Sequence, residues 1–263
     1  RRVLFRSRHV GGGADIGYAI ACDASGPGLT FWGGQSVSQN FYPSRAVNQG
    51  KMPYYFYNYG AVCGSTFFPP VNTQDGWANA IQPAATSVAQ INAVTCDAQG
   101  NVCVAGYHTG PLTLYSSSGV ASGALGSLAD QGFVAKYLTT GALSWSANVD
   151  CPTTAGVRVY SLALDAGANL FATGYYNGYT TFFSGSGTAF SNVLYNIGGS
   201  DVFVVKYTPT GTILWNAHAG STGTDVGYGI ATDAGSNVLV CGQYGGTFTC
   251  RSEEHTSELQ SRL

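Results

Sequence analysis

Between positions 8 and 250 the chain has no glutamate; Glu253, Glu254 and Glu258 all fall in the last thirteen residues. Charge of either sign is scarce, at 9% of residues, and Met52 is the single methionine. The span 8–250 carries six basic residues against ten aspartates, a net charge of about −4. Without a basic patch there is nothing to displace counterions from a phosphate backbone, so a nucleic-acid partner is not expected. No hydrophobic run approaches the roughly 20 residues of a membrane-crossing helix. Apolar residues nowhere follow a helical period. Seven cysteines are present, but no Cys-x-x-Cys spacing, which argues against zinc.

The two ends are foreign to this composition. The first seven residues, RRVLFRS, contain three arginines. A codon choice exists for Arg251–Ser257, RSEEHTS, whose reverse complement reads Arg-Arg-Val-Leu-Phe-Arg-Ser, the sequence of residues 1–7 letter for letter. A polypeptide has no reason to carry its own antisense translation, whereas a DNA fragment flanked by an inverted adapter does. Residues 1–7 and 251–263 are therefore read as translated sequencing-library adapter, outside fold reasoning and without a packed role. The remaining 8–250 is expected to be cut at both ends, so a missing leader or anchor says nothing.

What fills 8–250 is a repeat. YAIACDASGPGLTFWGG from Tyr18, NAVTCDAQGNVCVAGYH from Asn92, YSLALDAGANLFATGYY from Tyr160 and YGIATDAGSNVLVCGQY from Tyr228 share one pattern. Asp-Ala recurs at Asp23, Asp97, Asp165 and Asp233, at intervals of 74, 68 and 68 residues. Glycine follows nine residues after the last three, at Gly106, Gly174 and Gly242. A second pattern interleaves: DQGFVAKYLTTGALSW from Asp130, DVFVVKYTPTGTILW from Asp201, and a weaker YYFYNYGAVCGSTFF from Tyr54 with Phe68 at the tryptophan position. Each repeat reads as four short strands. Strand one is Gly227–Asp233, and the turn DAGSN leads to strand two from Val238. Strand three is Val202–Tyr207, and TPTG leads to strand four, TILWNAHA. Four antiparallel strands per repeat describe a β-propeller blade, each stabilised by its neighbours. HVGGGADIGYAIACD at His9 parallels HAGSTGTDVGYGIATD at His218. The genuine chain thus holds about three full repeats plus partial ones, an incomplete all-β propeller.

The stretches GGSDVFVVKYTPTGTILW and TDVGYGIATDAGSNVLVCG resemble the bacterial SBBP repeat family. The likeness covers nearly all of 8–250 and is strongest from about 130 to 242. It implies a propeller in a large secreted or cell-surface protein, and no catalytic residues. TGALSW and TGTILW also resemble the end of the tryptophan-docking motif of pyrroloquinoline-quinone dehydrogenases. Tyr137 and Tyr207 stand where that motif has aspartate, and the adjacent-cysteine pair is absent. Packing of an outer-strand tryptophan between blades explains the same residues.

Each reactive residue type has a structural reading beside the functional one. Asp23, Asp97, Asp165 and Asp233 offer one carboxylate per turn, too few for calcium, so they are read as turn residues. Asp15 and Asp225 are read as polar ends of the loop entering strand one. His9 and His218 share a repeat position with Asn148, which favours hydrogen bonding over ligation; His108 stands alone. Cys96 faces Cys103, as a possible disulfide, only if the intervening turn AQGN has four residues. Tyr55, Tyr57 and Tyr59 fit strand three of the first unit, although the aromatic run Met52–Tyr59 also suggests a carbohydrate platform. Variable loops over 35–50, 68–90, 109–129 and 180–200 are the expected binding surface. The reading is a non-enzymatic secreted or cell-surface scaffold, bacterial in type, that presents loops to proteins or glycans. It has no assigned catalytic, metal or cofactor residue. The alternative is a propeller quinoprotein, hydrolase or lyase with a site spanning several blades.

Overall fold

The computed structural model describes residues 16–22, 30–36, 60–66, 77–84, 87–126, 130–151, 156–247 and 249–252. Every regular element among them is a β-strand. The first unit comprises β1 (Ile16–Cys22), β2 (Thr30–Ser36), β3 (Gly60–Thr66) and β4 (Trp77–Pro83). The second opens with β5 (Ala89–Cys96) and β6 (Val102–Thr109). A hairpin of β7 (Leu112–Tyr115) and β8 (Ala121–Leu125) follows, then β9 (Asp130–Tyr137) and β10 (Leu143–Asp150). The third repeats this order with β11 (Val157–Leu164), β12 (Leu170–Tyr176), β13 (Tyr179–Phe182), β14 (Leu194–Tyr195), β15 (Asp201–Tyr207) and β16 (Ile213–Gly220). The fourth contributes β17 (Val226–Thr232), β18 (Val238–Gln243) and β19 (Thr249–Ser252).

Three sheets have a four-stranded antiparallel meander at their heart: β1–β4, then β5-β6-β9-β10, then β11-β12-β15-β16. The first strands β1, β5, β11 and β17 pack against one another in series, which makes them the innermost strands of successive blades. The all-β fold of four-stranded blades is thus what the chain adopts, and the strands assigned from sequence in the third and fourth units coincide with the observed ones. The apolar core lies between blades. Strand β9 shows why: Phe133, Ala135 and Tyr137 pack with Ile81, Ile91 and Leu114 of the first interface, while Val134 packs with Val159 and Phe203 of the second. A strand buried on both faces needs apolar residues throughout, unlike an alternating half-exposed one.

Two of the four loops expected to carry binding, 109–129 and 180–200, have another role; 37–50 and 68–76 of the other two lie outside the described residues. Hairpin β7–β8 leaves the second blade and pairs with β4 of the first, with Leu114 opposite Ile81. Hairpin β13–β14 leaves the third blade and pairs with β10 of the second, with Phe182 opposite Val149. Strand β19 does the same from the fourth unit, setting Cys250 opposite Ala219 of β16. Each blade's outer edge is therefore closed by the blade after it. That arrangement satisfies ladder groups which an edge strand would leave unpaired. Of the two terminal segments set aside from sequence, Arg251 and Ser252 extend β19 along β16; residues 1–7 and 253–263 lie outside the described residues.

Register corrects the first unit. Trp145 and Trp215 each stand opposite a lysine of strand three, Lys136 and Lys206. The residue at that position in the first unit is Trp77, opposite Ser65, not Phe68. The misalignment arose because eleven positions separate Thr66 from Trp77, against eight between the corresponding Tyr137 and Trp145. The strand opposing β4 in this unit is Gly60–Thr66; the tyrosine run Met52–Tyr59 lies outside the described residues, as do Asp15, Asp23 and His9.

Candidate functional site

The recurring aspartates are turn residues wherever they are described. Asp97 Oδ1 accepts the backbone N–H groups of Gln99 and Asn101 at 3.1 and 2.8 Å, and the Asn101 amide donates to Oδ2 at 2.9 Å. Asp165 holds Gly167 and Asn169 in the same way, and Asp233 holds Gly235 and Asn237. Strand three then supplies a cation: Lys136 Nζ lies 3.0 Å from Asp97 Oδ2, with both side chains buried, and Lys206 Nζ lies 3.4 Å from Asp165. Burial opposes the charged carboxylate, but the Asn101 and Lys136 hydrogen bonds prevail and hold Asp97 below its ordinary value. Asp165 is lowered by the same balance of burial against Asn169 and Lys206. A cavity of about 520 Å³ opens between these two turns, lined by Asp97, Lys136, Asp165 and Pro209. Its carboxylates are already engaged by the turns and lysines.

The turn also settles the cysteine pair. Asp97 N bonds Asn101 O, so the connection spans five residues rather than four. Cys96 consequently pairs with Val102, and Cys103 with Thr95. The two cysteines are offset by one position, side chains on opposite faces, and neither forms a disulfide. Burial pushes the Cys103 thiol up to about 12, so it stays protonated and unreactive.

At the opposite end of the strands, a polar group recurs at matching repeat positions, two residues cross-strand partners and the third two positions along on strand four. In the second blade it is His108, Gln131 and Asn148; in the third, Tyr176, Asp201 and His218. His108 is fully buried, with Nδ1 2.7 Å from Gly110 O and Nε2 3.1 Å from Asn148 Oδ1. Burial outweighs these bonds and lowers its pKa, which keeps the ring neutral near pH 7. Tyr176 Oη lies 2.7 Å from His218 Nδ1, and Asp201 Oδ2 accepts from Ile197 N at 2.7 Å. Burial raises the Asp201 carboxyl, only partly offset by the Ile197 bond. Asp225 is more than the polar loop end expected of it. It is fully buried and accepts from Ser221 N, Ser221 Oγ and Gly245 N, tying the exit of β16 to the exit of β18. These groups are enclosed and hydrogen-bond largely to one another, the arrangement of a network that fixes packing, while Asp201 Oδ1 is buried without a hydrogen-bond partner. Among the described residues, no group of three or more His, Cys, Asp or Glu side chains is placed to hold a metal ion.

The tryptophan of the quinoprotein-like motif packs between blades. Trp145 stacks on Tyr207 of the next blade at 5.5 Å, and its indole N–H donates to Pro209 O at 3.1 Å. Gly185 and Gly211 lie against its ring, where a Cβ on either would collide with it. A buried indole with its donor satisfied needs no cofactor to explain it.

Sequence reasoning missed the exposed feature. The innermost strands carry a β-bulge at one repeat position, leaving Tyr18, Asn92, Tyr160 and Tyr228 without a ladder partner. A bulge redirects its side chain. The result is a row across three blades. The Arg158 guanidinium sits 4.0 Å above the Tyr107 ring and pairs with Asp130 at 2.8 Å. Tyr160 meets Tyr175 at 5.7 Å and Tyr228 at 5.8 Å, and Tyr228 is 54% exposed. Side-chain amides flank the row: Gln90 accepts from Tyr107 Oη, and Asn92 donates across the blade boundary to Val159 O at 2.8 Å. The signal was present as the tyrosine that starts three of the four repeats, but a bulge has no signature in side-chain alternation.

Repeated meanders, innermost strands in series and edge-to-edge stitching define a repeat-built, β-propeller-like protein. No family model matches the chain. It is similar to an uncharacterized WD repeat-containing protein of Acanthamoeba polyphaga mimivirus, 34% identical over 92 residues. That match covers 34% of this chain, and the chain spans only 7% of the length of the viral protein. WD repeats are blade-forming units of about 40–45 residues; the 68-residue interval here exceeds that by roughly the length of the stitching connection.

Proposed function

We propose that this protein is a non-enzymatic propeller scaffold of the SBBP-repeat type, acting in a secreted or cell-surface setting, that binds a protein partner through the axial tyrosine row. The carrying observation is the contiguous Tyr107–Arg158–Tyr175–Tyr160–Tyr228 surface, on rigid strands and partly open to solvent. Tyrosine and arginine are the residue types that dominate interface energetics, because each presents large contact area at small entropic cost. Hairpins β7–β8 and β13–β14, expected to bind, are occupied in stitching, and the tyrosine row is an accessible feature among the described residues. The WD-repeat similarity supports a scaffold role. The reading is tested by probing the purified protein with a displayed peptide library and a glycan array. Peptide binding that weakens at least about tenfold in Tyr160→Ala and Arg158→Gln, but not in Tyr195→Ala, supports it. Glycan-only binding, or binding indifferent to those substitutions, would sink it.

A further inference from the structure

Side-chain acceptors along the tyrosine row between the second and third blades are already engaged. Gln90 Oε1 accepts from Tyr107 Oη at 3.2 Å, and Asn92 Oδ1 accepts from Gln90 Nε2 at 2.7 Å. Asp130 Oδ1 has no partner but is enclosed, out of a ligand's reach. The groups left over can all donate. The hydroxyls of Tyr160 and Tyr175 make no hydrogen bond among the described residues, and neither is enclosed. Arg158 gives Asp130 only its Nη2, so the Nη1 edge of a side chain that is 31% exposed is unengaged as well. Between these donors the aromatic faces stand at an angle. Tyr160 and Tyr175 are tilted by 44° at 5.7 Å, which opens a wedge rather than a closed stack.

We propose that the segment bound at this row is proline-rich and lies in the polyproline II conformation. The inference rests on the reading of the row as a protein-binding surface, and it names what that partner presents. Proline has no N–H to satisfy and brings an apolar ring, while its carbonyl remains an acceptor. A polyproline II strand makes no internal hydrogen bonds, so its carbonyls are available to Tyr160, Tyr175 and Arg158 while its rings enter the wedge between tyrosines. Its preset backbone also lowers the ordering cost of binding. Two other occupants match the row less well. A glycan brings hydroxyl protons that need acceptors, and the side-chain acceptors here are engaged. An acidic peptide needs an unneutralised cation, whereas Arg158 is already paired with Asp130.

The test titrates the full chain into dye-labelled decaproline and follows fluorescence anisotropy. Saturable binding is expected. Alanine at alternate positions of the peptide restores N–H groups and removes rings, and should weaken binding at least about tenfold. Tyr160→Phe and Tyr175→Phe keep the aromatic faces but remove the hydroxyl donors, and each should weaken binding about threefold to tenfold. Tyr195→Phe, at an exposed tyrosine of the stitching hairpin, should change nothing. Decaproline binding indifferent to both substitutions in the row, or equal binding of the alanine peptide, overturns the inference. If library peptides without proline bind through Tyr160 while decaproline does not, the polyproline II assignment is wrong and the protein-binding row stands. If neither decaproline nor any library peptide binds, both readings fall.

Discussion

At the scale of single residues, aspartate does two opposite things in this fold. Asp97 is depressed by its turn amides and Lys136, so its stabilisation is present above the unfolded carboxyl pKa and is lost as pH falls through the folded value. Asp97→Asn would leave Lys136 buried without a counter-charge, a loss of about 3 kcal/mol, read as a lower urea midpoint. Asp233→Asn should change the midpoint little, because Asp233 is exposed and no lysine pairs with it among the described residues. Asp150 runs the other way: burial raises it from 3.8 to about 6, against the lowering Asn148 bond. Its contribution is fully present below pH 3.8 and is lost as pH rises through about 6. Asp150→Asn should therefore stabilise the protein at pH 7, by about 1 kcal/mol once solvent screening is allowed for. It should also flatten the fall in stability between pH 4 and 6, measured by urea titration at several pH values. An unchanged pH profile would contradict this assignment.

At the scale of elements, the bulge explains a glycine that the repeat displays without a reason. Gly106, Gly174 and Gly242 lie across from the bulge, and a Cβ on each would run into the backbone carbonyl of Gln90, Arg158 and Val226 respectively. Gly174→Ala must therefore displace main chain. It should cost about 3 kcal/mol or more, in the range of overpacked sites. Gly187→Ala is the control, since its φ of 78° is unfavourable for alanine but nothing lies within 4 Å. About 1 kcal/mol is expected there. The strands of the last two units were legible because Asp-Ala recurs with an asparagine four residues after each aspartate, and the third unit repeats the Lys-Tyr of the second. The bulge and the stitching hairpins were not. Hairpin β13–β14 has a two-residue second strand, and its polar Ser/Gly/Thr sequence reads as loop, because its pairing partner lies in another repeat. The true place of Trp77 was hidden for a related reason: only register across β3, not spacing along the chain, identifies it.

At the scale of the molecule, stitching changes how the blades depend on one another. Stacked repeats ordinarily couple through face packing alone. Here each interface also includes strand pairing, so the edge of one blade is folded only if the next blade has delivered its hairpin. Hairpin β13–β14 supplies Phe182 and Leu194, both almost fully buried, and sets Gly185 against Trp145. Tyr176 and Asp201 are direct cross-strand partners, so Asn177–Ser200 can be replaced by an Asn-Gly turn without moving β12 or β15. The shortened blade keeps its own four strands and approaches the length of an ordinary WD repeat. What it loses is the cover on β10 and two buried side chains, together at least about 4 kcal/mol. The intact chain should unfold in urea as one transition over 87–247, followed by tryptophan fluorescence and by far-UV circular dichroism. In the shortened chain the two signals should separate, with the Trp145 environment lost at lower urea and a smaller slope in that first step. Coincident transitions with the original slope would mean that face packing alone carries the cooperativity, and that the hairpins cover an edge without coupling the blades.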